Sequence, residues 1–369
     1  MLPVNAIMKT PDFTFLLCAF SLFGLMSCSA GDQSETTRNH SGQMPDEATY
    51  SSVLTFAFYN VENLFDPADD PVTDDEEFTP DGKMKWTNER LDKKLENVAR
   101  AIRSMNDNDG PDVLGFCEVE NRRVLERLVE EFLPEGVYGV AHRHSPDRRG
   151  IDVALIYRKS AMNLVRVNAY QVGLGVGAGP TRDILAVHFE KDGHPFTVLL
   201  NHWPSRRGGK QKSEYRRVIA AGVAAKVVDS LYARDPNADV VMMGDFNDEP
   251  HDRSLADVLH AAEYDGTRSF DARMINLGIP AQRLDTIGTY LYKDEWEILD
   301  QILLSRGALD DKGLVLLDRS ETIFHPEFLR DYHPSQPLNP PRRTFVRGTL
   351  YIGGTSDHFP VFARVGWAP

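Results

Sequence analysis

The run Val240-Val241-Met242-Met243 is apolar at every position and leads straight into Gly244-Asp245-Phe246-Asn247. A strand with one wet face alternates apolar and polar residues. This one does not, so it reads as a strand buried on both faces. Such a strand needs a covering layer on each side, which points to a layered arrangement of sheets and helices. It also ends on an acid. Asp245 and Asn247 are carried to the rim of whatever sheet this strand joins.

Seven further apolar stretches read as strands: 53–61, 113–119, 152–157, 184–189, 196–203, 298–304 and 361–365, beside 240–246 itself. Three amphipathic stretches read as helices. Residues 88–105 align Leu91, Leu95, Val98 and Ile102, and 121–132 align Val124, Leu125, Leu128 and Val129. Residues 213–231 align Tyr215, Val218, Ile219, Ala225 and Val228. With 369 residues and 41% hydrophobic content, there is ample material for one sizeable core. Strand pairing does not follow from the pattern.

The first 52 residues are of another kind. Residues 13–26 are almost continuously apolar and follow Lys9, as in a signal peptide, and the stretch is short for a membrane span. It ends in Leu25-Met26-Ser27-Cys28, which resembles a bacterial lipobox. The expectation is a leader over 1–28 that ends at a lipidated Cys28, a polar tether over 29–52, and one domain over 53–369. The protein would then be anchored at a bacterial cell envelope, on the outer membrane or the periplasmic side, or secreted. Within the domain Cys117 is the only cysteine, so no internal disulfide can form. It lies in an apolar run and reads as a core residue.

Polar residues recur at the ends of the apolar strands. Asn60 and Glu62 follow Phe56-Ala57-Phe58-Tyr59; Glu118 follows Leu114–Cys117; Asn201 and His202 follow Val198-Leu199-Leu200. Asp300 sits within Ile298-Leu299-Asp300-Gln301-Ile302, and Asp357-His358 precede Phe359-Pro360-Val361. One carboxylate at a strand end is usually a cap or a turn former. A repeated placement is harder to dismiss, because strand ends meet at one rim of a sheet. Carboxylates and Asn carbonyls suit a hard, oxygen-seeking cation, Mg2+ first with Mn2+ or Ca2+ as alternatives. No His-Glu-x-x-His zinc motif, Gly-x-x-x-x-Gly-Lys-Ser/Thr loop or Gly-x-Ser-x-Gly elbow occurs.

The ordered runs Phe58-Tyr59-Asn60-Val61-Glu62-Asn63, Cys117-Glu118-Val119-Glu120, Asn201-His202-Trp203-Pro204, Gly244-Asp245-Phe246-Asn247, Leu299-Asp300-Gln301-Ile302 and Ser356-Asp357-His358 resemble the endonuclease/exonuclease/phosphatase superfamily. These are the deoxyribonuclease I-like phosphoesterases. Residues 201–209 and 149–155 resemble secreted bacterial members described as extracellular nucleases. The resemblance implies a four-layer α/β sandwich, two packed mixed β-sheets flanked by helices, and metal-dependent hydrolysis of a phosphoester. It makes Glu118 the principal metal ligand, aided by Asn60, with Asp357 close by. Asp245 and Asn247 would orient or activate the attacking water, His358 would pair with Asp300, and His202 would act on the phosphate or the leaving oxygen.

The partner expected is therefore a phosphoester, nucleic acid or a small phosphodiester, met by a membrane-anchored monomer. Arg206 and Arg207 open a basic cluster that reads either as a phosphate contact or as a solvated loop. The net charge of −14 steers against polyanions. That keeps open a phosphomonoesterase or a phospholipid or inositol-phosphate head-group hydrolase. A non-catalytic binding lipoprotein is a more distant alternative.

Overall fold

The computed structural model describes residues 50–267, 270–284, 287–332 and 339–368. The leader with Cys28, and the tether up to residue 49, lie outside them. The domain falls within a compact unit spanning 42–369. Among the described residues no helix is long and apolar enough to cross a membrane.

In chain order the first strands are β1 (Ser52–Leu64), β2 (Val113–Val119), β3 (Tyr138–His142), β4 (Asp152–Arg158), β5 (Asn163–Tyr170), β6 (Ile184–Lys191), β7 (His194–His202) and β8 (Asp239–Asp245). The rest are shorter on average: β9 (Ala261–Ala262), β10 (Met274–Asn276), β11 (Tyr290–Tyr292), β12 (Glu295–Glu297), β13 (Asp300–Ser305), β14 (Gly313–Leu316), β15 (Thr322–Ile323), β16 (Phe345–Val346), β17 (Leu350–Tyr351) and β18 (Val361–Ala368). The helices are α1 (Asn88–Ser104), α2 (Arg122–Arg127), α3 (Lys210–Tyr232) and α4 (Gly278–Leu284). α2 runs on into a wider π-helical turn over Leu128–Phe132.

One sheet orders its strands β14-β18-β1-β2-β4-β3, with β15 also on β18, and the other β5-β6-β7-β8-β13-β10-β9. β1 and β2 run parallel, as do β7 and β8; their outer neighbours are antiparallel. Both sheets are therefore mixed.

Side-chain alternation explains the layering. In β1, Phe56 and Phe58 face the other sheet, where with Leu155 of their own sheet they join Val198, Leu200, Val241 and Met243. Ala57, Tyr59 and Val61 face α1 and pack with Leu91, Leu95, Val98 and Ile102. β8 divides the same way. Val241 and Met243 fill the space between the sheets, while Val240 and Met242 lie under α3. The all-apolar run is thus buried on both faces, and the molecule is the expected four-layer α/β sandwich. The sheets approach closely at Gly115, where an added Cβ would lie 2.5 Å from Leu200 Cδ2 and 3.0 Å from Phe58 Cδ2.

Several details differ from the sequence reading, among them the short strands β9–β12 and β14–β17 and the helix α4, which it did not include. α3 buries Ala220, Ala221, Ala224 and Val228 together with Ser213 and Arg217, while Tyr215 is exposed. Small alanines let the helix sit close on β7 and β8, and the bulky residues fall to its flank. β3 and the largely exposed edge strand β5 carry weak apolar patterns and were not expected.

Candidate active site

Strand register assembles the site. Parallel pairing of β7 with β8 sets Asn201 opposite Gly244 and His202 opposite Asp245. Antiparallel pairing of β8 with β13 sets Asp300 opposite Asp245. His202, Asp245 and Asp300 therefore form a row across three adjoining strands of one sheet. Gly244 makes this possible, because a Cβ there would lie 2.3 Å from the backbone oxygen of Asn201.

The other sheet supplies the facing groups. Asn60 in β1 donates from Nδ2 to Asp245 Oδ2 at 3.0 Å, and its own Oδ1 accepts from the Glu62 N–H at 3.0 Å. That oxygen keeps a second lone pair. His358 precedes β18, and its Nδ1 lies 2.6 Å from Asp300 Oδ2. The Ser356 hydroxyl fixes that turn, donating to Asn60 O at 2.6 Å and accepting from the His358 N–H at 3.0 Å. Tyr290 covers the imidazole, with ring centres 4.7 Å apart. Asp245, Asp300 and His358 bring ligand atoms within 4.8 Å of one another.

Glu118 stands out of its ladder. The pairing of β2 shifts register on both sides of it, and its backbone is left-handed at φ +61°. Glu62, Asn63 and Asn247 are left-handed too, at +46°, +55° and +51°. Bulges and positive φ at non-glycine residues re-aim side chains and gather at functional sites. Here they turn the carboxylate of Glu118 toward the rim, where its Oε2 accepts from the Asn63 N–H at 2.9 Å.

Asn247 is held at three points. Its N–H donates to Asp245 Oδ1 at 2.9 Å, its Nδ2 donates to Trp203 O at 3.0 Å, and its carbonyl accepts from Arg206 Nε at 2.7 Å. Arg206 is otherwise spent on Glu297 and Asp252, and so is turned to structural acids. Arg207 is exposed and outside the cluster. Arg217 is likewise turned inward, fully buried against Asp248 at 2.6 Å, while Lys210 and Lys212 of the same segment, like Arg207, are exposed. Trp203 is buried as well, stacked edge-on against Phe246.

Several neighbours carry no motif of their own. Lys94 on α1 is buried, and its Nζ donates to Glu62 O at 2.5 Å and Thr344 Oγ1 at 2.6 Å. Its position three residues from Leu91, on the apolar stripe, is the signal that marks it. Arg343 donates to Asp357 Oδ2 at 2.9 Å. Arg149 reaches Asn63 and comes within 3.8 Å of Glu118 Oε2.

The electrostatics follow from burial and crowding. Burial opposes charge on His358, but Asp300 beside it, then Asp245 and Asp357, outweigh that and raise its pKa to about 10. Burial raises Asp245 to about 7, against the pull of His358. His202 is driven well below its ordinary value, by burial first and then by Arg182, Arg149 and His358. The site thus holds a cationic His358, a neutral His202 and, in Asp245, an acid that titrates near neutrality. Cys117 lies beside His202 and Asp245, but burial and the nearby acids push its thiol up, so it stays protonated.

In donor type the residues fit a hard divalent cation, although among the described residues neither Glu118 nor Asp357 belongs to a group of acids and histidines whose ligand atoms lie within 4.8 Å of one another. Glu118, Asp357 and the spare lone pair of Asn60 offer oxygen ligands, with Glu62 adjoining. Burial and then Asp357 raise Glu62 to about 7, against the pull of Lys94 and Arg343. Among the described residues, His202 Nδ1 and Asp300 Oδ1 are buried without a protein partner, as expected where a ligand or water completes the site.

Solved structures share this architecture. TDP2 from Caenorhabditis elegans superposes with a TM-score of 0.52 at 14% identity, covering 86% of this chain and 76% of that one. An endonuclease/exonuclease/phosphatase family protein from Bacteroides thetaiotaomicron gives 0.51 at 17% identity, over 86% and 96%. A mannosyl-6-phosphatase from the same organism gives 0.51 at 18% identity, over 85% and 98%. At these identities the likeness carries the fold. No curated protein sequence matches the chain. The profile of the Endonuclease/Exonuclease/phosphatase family matches residues 55–366, nearly the whole domain. The chain therefore belongs to the endonuclease/exonuclease/phosphatase family, whose members are hydrolases of phosphoesters.

Proposed function

We propose that this protein is a divalent-metal-dependent phosphodiesterase or nuclease, tethered to the cell envelope through a lipid on Cys28. The observation that carries the reading is the row His202–Asp245–Asp300, met from the opposite sheet by Asn60 and His358. A phosphate seated there finds a proton donor, a base and fixed amides on separate, rigid elements.

Glu118, Asn60 and Asp357 would hold a divalent cation, Mg2+ before Mn2+ or Ca2+, which would supply charge compensation at a phosphate oxygen. The chain's own groups do the rest. Asp300 holds His358 protonated, and with Nδ1 engaged the imidazolium presents Nε2 to the phosphate or the leaving oxygen. Asp245, oriented by Asn60 and the Asn247 N–H, takes the proton of the attacking water. Neutral His202 hydrogen-bonds the phosphate.

Arg149 beside Glu118 and Arg343 beside Asp357 place separate positive groups at the rim. They suit a substrate that extends beyond its phosphate in more than one direction, and so favour a diester. The second reading is a phosphomonoesterase or head-group hydrolase. It is favoured by the −14 charge, and the mannosyl-6-phosphatase shows that the fold can carry that chemistry.

The test is turnover on DNA, RNA, bis-(p-nitrophenyl) phosphate and p-nitrophenyl phosphate, each with and without chelator. Diester or nucleic-acid hydrolysis that stops on chelation supports the reading. Monoester hydrolysis alone moves the protein to the second, and no turnover on any phosphoester rejects both. Incorporation of labelled lipid, lost in Cys28→Ala, tests the anchor.

A further inference from the structure

A second cluster lies on the β3–β4 connection. His142 ends β3 and Asp152 opens β4. His142 Nε2 lies 2.9 Å from Asp152 Oδ2, and His144 Nδ1 lies 3.2 Å from that same oxygen. All three ligand atoms fall within 4.8 Å of one another. The imidazoles meet edge to face, with centres 4.8 Å apart. His142 and Asp152 are each 3% exposed, whereas His144 is 73% exposed.

We propose that His142, His144 and Asp152 form a binding site for a late divalent transition ion of the Zn2+ class, separate from the catalytic cation. The oxygen-rich set around Glu118 suits a hard ion, and two imidazoles with one carboxylate suit a softer one. In a tetrahedral site with bonds of ~2.0–2.1 Å, neighbouring ligand atoms stand roughly 3.3 Å apart. The two measured edges are close to this, and the exposed His144 side chain is free to close the third.

The carboxylate is set up for the purpose. Asp152 Oδ1 accepts from the Ser145 N–H at 2.8 Å and the Ser145 hydroxyl at 2.6 Å. Both bonds fix the carboxylate and leave Oδ2 to the imidazoles, as outer partners do around metals. A simple ion pair inside the fold needs only His142. It gives no reason for a second, solvent-exposed imidazole to be held against the same oxygen. Entry is open, because His144 also lines a surface cavity of about 350 Å3 with Asp69, Asp70 and Glu120. Three protein ligands leave a fourth position to water.

Position gives the site a role. Its ligands staple the base of the segment 143–151, which carries Asp147 to Arg182 and Arg149 to Asn63 and Glu118. An ion bound here would fix the segment that brings Arg149 to the catalytic rim.

The experiment is calorimetric titration of Zn2+ into the full chain carrying Glu118→Gln, which weakens the first site, with and without His144→Ala. The expected result is one saturable Zn2+ per chain whose affinity falls roughly tenfold or more in the double variant. Zn2+ should also raise the melting temperature of the Glu118→Gln chain and not of the double variant, by mass action on the native state. His144 is exposed, so its loss leaves folding intact. His142→Ala is a second arm, with the same expected loss of Zn2+ affinity. Equal affinity with and without His144, or no saturable Zn2+ binding by the parent, overturns the proposal. Neither outcome bears on turnover with Mg2+.

Discussion

Asn60 Nδ2 and Asp245 Oδ2 meet at 3.0 Å across the two sheets, from positions 185 residues apart in the chain. This bond joins the rim of one sheet to the rim of the other and sets the carboxylate on which the proposed chemistry turns. It also favours the charged form of Asp245, against the burial that raises its pKa to about 7. Asn60→Ala removes that support. The expected outcome is a lower kcat and an acid limb of the pH–rate profile moved to higher pH, read from kcat/KM between pH 5 and 9. An unmoved limb would detach Asp245 from that ionisation.

The Asp300–His358 pair makes the opposite pH statement. The folded pKa of His358, about 10, stands above its ordinary 6.5. Its contribution to stability is therefore fully present below pH 6.5 and is lost as pH rises through about 10. Asp300→Asn removes the partner that sustains this shift. The melting temperature of the variant should vary less between pH 6.5 and 10 than that of the parent, and turnover should fall by roughly a hundredfold or more. Equal pH slopes in the two proteins would mean that the pair is not charged as described.

Two glycines separate packing from propensity. Gly244→Ala forces a Cβ to 2.3 Å from the Asn201 backbone oxygen, which cannot move without shifting the β7–β8 register. A loss of roughly 1–3 kcal/mol is expected, with activity falling alongside because His202 and Asp245 lie next in that register. Gly222 in α3 has nothing within 4 Å of an added Cβ. Gly222→Ala should therefore stabilise the protein by about 0.5–1 kcal/mol, since alanine is the better helix former. Urea denaturation of both variants checks the contrast.

Much of this was legible in the chain. The eight apolar stretches are strands because core-facing alternation, or burial on both faces, leaves a clear mark. The polar residues at their ends are rim residues because strand ends converge. Register did not show, since which strand adjoins β8 depends on pairings far apart in sequence. The basic cluster opened by Arg206 and Arg207 reads as a phosphate contact or a solvated loop, yet Arg206, with Arg217 further along, is absorbed by Asp248, Asp252, Glu297 and backbone carbonyls, and Arg207 is exposed. Charge density in a sequence does not say whether its counter-charges come from the solvent side or from the fold. Lys94 was missed for the converse reason. A lone lysine on an apolar stripe reads as a snorkelling surface residue until Glu62 and Thr344 are seen over it.

In the function proposed, the carboxylate of Glu118 holds the cation on which phosphoester hydrolysis depends. The most direct measurement is the Mg2+ dependence of diester hydrolysis by the parent and by Glu118→Gln, after chelation and stepwise return of the ion. Chelation should abolish turnover and Mg2+ should restore it. Glu118→Gln should need roughly tenfold more Mg2+ or above for half-activation, with partial rescue at saturation. Hydrolysis that survives chelation, or a Glu118→Gln enzyme with unchanged rate and Mg2+ requirement, would contradict that role for Glu118.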